Sequence, residues 1–107
     1  MKSEIRSNIS MMLDNLKKMD DGSYVTFIYA DSVDPWNTYD TFDVVKYTVK
    51  GKPVYKVNNR KMTKSDVMKR MNRYINNKKK STMVALKDSS HKTELFYDTD
   101  KNVLYEY

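Results

Sequence analysis

Cysteine is missing altogether. That excludes a disulfide framework, a thiol nucleophile and a Cys-based zinc site. Glycine and proline occur twice each, and Gly22 and Gly51 stand too far apart to build a phosphate-cradling loop. Histidine occurs once, as His91. A Ser-His-Asp arrangement would have to recruit Ser89 or Ser90 and a distant aspartate, and nothing near His91 supports it, so a surface turn is the plainer reading. The acid–base pair that most hydrolases need is not visible either. No catalytic residue is assigned, and the chain reads as non-enzymatic. No apolar run approaches the ~20 residues that span a bilayer, so no membrane partner is expected. The opening Met1-Lys2-Ser3-Glu4 leads straight into a helical pattern without a secretory apolar region. The chain therefore reads as cytoplasmic, and the sequon at Asn8-Ile9-Ser10 is discarded.

Of the 107 residues, three are Phe, nine Tyr and one Trp, which argues for an ordered core despite a charged fraction of 32%. The length suits one domain over 1–107. Lys, Asn, Tyr and Met are plentiful and Ala is scarce, as in translated AT-rich DNA. A low-GC bacterium, its phage or a mobile element is the origin this suggests.

Ile5, Ile9, Met12, Leu13, Leu16 and Met19 make one apolar stripe at helical spacing, and Gly22 can end that helix at about residue 19. Residues 24–30 are β-branched and aromatic, so they read as a strand. Asp43 to Val49 reads as a second strand, Lys50-Gly51 as a turn and Val54 to Val57 as a third. Thr63-x-x-Asp66 matches a capping box that opens a second helix, with Val67, Met68, Met71, Tyr74 and Ile75 as its apolar stripe. Residues 82–87, 94–98 and 103–107 read as further strands. The expected class is α+β, of order α-βββ-α-βββ. One antiparallel sheet would carry both amphipathic helices on one face. Met12, Met19, Met68 and Met71 fall on the helical stripes as core filler, whereas Met11 falls opposite.

Charge is segregated along the chain. Residues 60–80 hold nine Lys or Arg against the single acid Asp66, while residues 19–45 hold six aspartates and no Lys or Arg. Such asymmetry speaks of partners rather than of fold. Lys69, Arg73 and Lys80 share one helix face, with Arg70 flanking, Lys78 and Lys79 beside them, and Arg60, Lys61 and Lys64 at the helix entrance. This set could track a phosphate backbone with salt-dependent affinity. Tyr74 and the Tyr-bearing strands could add base stacking. The alternative for the basic run is an ordinary solvated helix face. The leading expectation is a binder of nucleic acid, or of a nucleic-acid-processing host enzyme, through the second helix.

Over the first 80 residues the order α-β-β-β-α resembles the double-stranded-RNA-binding domain, with Lys61 and Lys64 near the place of that family's phosphate-contacting lysines. The Gly-Ser-Lys-Lys and alanine-rich signature of that family's second helix is absent here. Element order alone assigns no membership.

A second surface is acidic and aromatic. The loop 31–42, with Asp31, Asp34, Trp36, Tyr39, Asp40 and Phe42, describes an interface anchor that would suit a basic cleft. On that alternative the protein inhibits a host defence nuclease or polymerase, in the manner of an anti-CRISPR protein. Trp36 folded back onto the core is the competing reading. Asp31, Asp34, Asp40 and Asp43 could gather a hard cation, but their spacing matches no calcium loop, so no metal or cofactor is assigned. The open sheet face could bind bases or pair two copies.

Overall fold

The computed structural model describes residues 2–31, 40–75, 82–90, 94–98 and 103–106, and the side-chain surroundings of 6–30, 40–73 and 87–90. Helix α1 spans Lys2–Lys17, followed by strands β1 (Tyr24–Asp31), β2 (Asp40–Val49), β3 (Lys52–Val57) and β4 (Arg60–Met62). Helix α2 spans Lys64–Ile75, and β5 (Thr82–Asp88), β6 (Glu94–Asp98) and β7 (Val103–Glu106) complete the chain. All strands join one antiparallel sheet of order β4-β3-β2-β1-β5-β6-β7. The α+β architecture read from the sequence is therefore present, and the described residues hold one strand more than expected.

That extra strand has a local cause. Asn58 and Asn59 both hold positive φ, 52° and 64°. Asparagine tolerates this left-handed region, and two such residues in succession make the tight turn whose twist suits a hairpin. The turn folds Arg60–Met62 back onto β3, pairing Val57 with Arg60 and Tyr55 with Met62. Lys50 (φ 52°) and Gly51 (φ 76°) make the same kind of turn between β2 and β3. Strand β2 also begins three residues earlier than its alternation suggested, at Asp40 rather than Asp43.

Helix α2 carries the chain from the edge strand β4 back over the sheet to β5, which lies beside β1. Four inter-strand steps of about 4.8 Å make a crossing of roughly 19 Å. Twelve helical residues rising 1.5 Å each cover about 18 Å, so the helix length fits the crossing. The capping box is formed in both directions: Thr63 Oγ1 accepts from the Asp66 amide at 3.1 Å, and Asp66 Oδ2 accepts from the Thr63 amide at 3.5 Å.

Both helices lie on one sheet face. Ile9, Leu13 and Leu16 from α1 meet Val25, Phe27, Val44, Tyr55 and Val57 from the strands and Val67 and Met71 from α2, all nearly or fully buried. Phe27 and Phe42 are register partners whose ring centroids lie 5.0 Å apart, an aromatic pair within stacking range. The buried Tyr55 hydroxyl donates to the Leu13 carbonyl of α1, which satisfies an otherwise orphaned group. Burial pushes that hydroxyl's pKa up, since the ionised form is disfavoured away from water.

Lys46 occupies an inner-face position that alternation would give to an apolar residue, and it is 8% exposed. Its ammonium donates to the Met19 carbonyl at 2.8 Å and pairs with Asp21 at 3.0 Å. Met19 lies two residues past the end of α1, so the ammonium satisfies a carbonyl outside the helix and stands near the negative end of the helix dipole. Thr48 donates to the same Asp21 oxygen at 2.7 Å. The Thr48 hydroxyl first, and then Lys46, hold the Asp21 carboxyl below the usual carboxylate range. Among the described residues no helix is long and apolar enough to cross a membrane.

A basic edge as the candidate nucleic-acid interface

Folding redistributes the basic run. Arg60 and Lys61, at the entrance to α2, sit on the edge strand β4, and both are exposed. Lys69 and Arg73 are exposed on α2, as its periodicity required. Lys64 is half-buried and bonded to Asp14 of α1 at 2.8 Å. A cation in the first turn of a helix opposes the helix dipole, and Asp14 compensates it. The same Lys64 bond is the main reason the Asp14 carboxyl titrates below its ordinary range. Arg70 turns inward, its guanidinium 4.5 Å from the centre of the Phe42 ring, a cation–π stack. Its buried Nε has no hydrogen-bond partner. Lys64 and Arg70 thus spend their charge inside the molecule. Lys78, Lys79 and Lys80 lie outside the described residues, as do the side chains of Tyr74 and Ile75.

The acidic aromatic loop changes as well. Phe42, expected as an interface residue, is 6% exposed and belongs to the core. The correction follows from register: pairing with Phe27 aims Phe42 at the helices, and Arg70 covers it. Asp40 is exposed at the start of β2, where it accepts from the Thr41 amide at 2.9 Å. Asp34, Trp36 and Tyr39 lie outside the described residues, as does the side chain of Asp31 at the end of β1. Asp43 faces the open side of the sheet and accepts from Thr26 at 2.6 Å. His91 also lies outside the described residues.

In place of the lost positions the structure recruits cations from the neighbouring hairpin. Between residues 46 and 65 there are seven Lys or Arg and no carboxylate, and this stretch forms the end of β2, all of β3 and β4, and the sheet edge. Lys52 is exposed, and Lys56 and Lys61 are register partners on the open face. Like charges placed directly opposite on a sheet repel, so this pair weakens the fold locally. Among the described residues Lys52, Arg60, Lys61, Lys69 and Arg73 form no ion pair. Asp66, the one acid of the run, is engaged in the capping box.

Lys52 and Lys56 went unnoticed as site residues because the linear run begins only at Arg60. The signal was the missing acid: the twenty residues from 46 to 65 contain no Asp or Glu. No protein-family model, curated protein or solved structure matches this chain.

Proposed function

We propose that this protein is a non-enzymatic binding protein. It holds the phosphate backbone of a nucleic acid on the edge formed by β3 and β4 and on the outer face of α2. The observation that supports this reading most strongly is the set Arg60, Lys61, Lys69 and Arg73, exposed and without an ion pair among the described residues. A surface charged only for solubility intersperses both signs. Here Lys52, Lys56, Arg60 and Lys61 crowd the β3–β4 edge with no acid among residues 46–65, at a cost in self-repulsion that an anionic partner would offset. Each phosphate neutralised by such a side chain releases counterions, so affinity falls steeply with salt.

Fluorescence anisotropy with labelled nucleic acids across a salt series tests this. The expected result is binding whose logarithm falls linearly with the logarithm of salt, by roughly 0.7–0.9 for each phosphate contacted. In the quadruple variant Arg60→Glu, Lys61→Glu, Lys69→Glu, Arg73→Glu that binding disappears while the circular dichroism spectrum is kept. Absence of binding by the wild-type protein at low salt, or full binding by the folded quadruple variant, would remove this surface from consideration.

A further inference from the structure

The sheet face that no helix covers among the described residues carries a groove beside the basic edge. Asp43, Val45 and Tyr47 on β2 line it from one side, and Lys56, Asn58 and Asn59 from the other, around a volume of about 240 Å³. That is below the roughly 300–1,000 Å³ of clefts that take drug-sized ligands, and it suits a single planar fragment. Tyr47 is 39% exposed. The Lys56 ammonium lies over its ring, 4.8 Å from the centre, and covers one of its faces; a base stacks there by displacing this lysine on its flexible stem, which frees its charge for a flanking phosphate.

We infer that this groove receives an unpaired base, and that the nucleic acid bound by the basic edge is therefore single-stranded. The inference rests on the backbone-binding reading above and specifies its substrate class. Three features carry it. An exposed aromatic ring on a sheet is a stacking platform for any base. The Asp43 carboxylate in the groove repels a phosphate but accepts from a base N–H or amino group, and Asn58 and Asn59 offer amides of both polarities. Lysines stand on the same side: Lys56 and Lys61 lie in the cross-sheet row Tyr24, Val45, Lys56, Lys61, placed to meet the phosphates that flank an inserted base. A base stacked inside a duplex cannot lie on Tyr47, so discrimination against duplexes follows from geometry rather than from sequence.

The experiment compares a labelled single-stranded DNA of mixed sequence with the same strand annealed to its complement, using wild-type protein, Tyr47→Ala and Tyr47→Phe. The single strand should bind more tightly than the duplex. Tyr47→Ala should lose roughly 5- to 150-fold in single-strand affinity, the range that follows from removing one stacking partner. Its duplex binding should be unchanged, and Tyr47→Phe should behave like wild type on both. Thermal melts of the two variants establish that both are folded. Equal affinity for the two forms, or undiminished single-strand binding by folded Tyr47→Ala, overturns the base site and leaves the basic edge standing. Failure to bind either form at low salt overturns both.

Discussion

The two faces of the sheet obey different constraints although the same strands build them. On the inner face Val25, Phe27, Val44, Tyr55 and Val57 are at most 2% exposed, and Phe42 reaches only 6%. On the outer face Tyr24, Thr26, Ile28, Asp43, Val45, Tyr47 and Lys56 are half-buried or exposed and mix aromatic, aliphatic and charged groups. Close packing leaves the inner face little choice, since each side chain must fill its share of volume. The outer face is free to vary, and that freedom is what a binding surface uses. Its apolar members, Ile28, Val45 and Tyr47, are more than a purely solvated face needs.

The sharpest way to break this comparison is to truncate on the inner face. Phe27→Ala should destabilise the fold by about 3–5 kcal/mol, because a fully buried ring leaves a cavity that its neighbours fill only in part. Urea unfolding followed by circular dichroism reads it directly, and a loss well below that range would show that the inner face repacks freely.

Tyr55→Phe should cost about 1 kcal/mol through the lost bond to Leu13. It also tests a pH dependence. The folded-state pKa of this hydroxyl is raised above its ordinary value of 10.0. Its contribution is therefore complete below pH 10 and fades above it, as the unfolded chain gains by ionising. Wild type should lose stability more steeply than Tyr55→Phe on going above pH 10, and parallel curves would place the hydroxyl in contact with water.

On the outer face, Tyr47→Ala should shift stability by no more than about 0.5 kcal/mol, the usual range for surface substitutions. A much larger loss would make Tyr47 a structural residue and bring the two faces closer in kind. The smallest effect is expected at the exposed carboxylates. Asp14 and Asp21 titrate below their ordinary value of 3.8. Their contributions are present above that value and lost as pH falls through the lowered one. The double variant Asp14→Asn, Asp21→Asn should accordingly show a shallower acid limb than wild type in chemical unfolding, with no difference in slope near neutrality.

The helices and the inner face were readable because their signals are local. Ile9, Leu13 and Leu16 repeat at helical spacing, and the Thr63–Asp66 cap is complete within four residues. Strand β4 was not readable, because nothing in Arg60-Lys61-Met62 prefers a strand: the Asn58-Asn59 turn and the exposed edge of β3 impose it. Phe42 looked like a loop residue because Asp40 and Thr41 precede it, and only pairing with β1 decides which way it faces. The charged run misled for a related reason. Spacing along a helix showed that Lys69 and Arg73 would be exposed, but the bond from Lys64 to Asp14 and the stack of Arg70 on Phe42 join residues far apart in the chain. The groove at Tyr47 joins β2 to the turn after β3, and composition alone does not indicate that either half has a counterpart.

The position of β1 also sets an order of assembly. Its neighbour on one side, β2, follows it closely in sequence, whereas its neighbour on the other, β5, begins only after α2 has crossed the sheet. During synthesis the chain can therefore complete α1 and the meander β1 to β4 while one edge of β1, apolar through Val25 to Ala30, still lacks its pair. An unpaired edge of that composition is where two nascent copies would join. Arrival of β5 closes it, and the finished sheet then ends on one side in β4, three residues long with Arg60 and Lys61 at its rim, whose mutual repulsion between molecules keeps that edge from recruiting another strand.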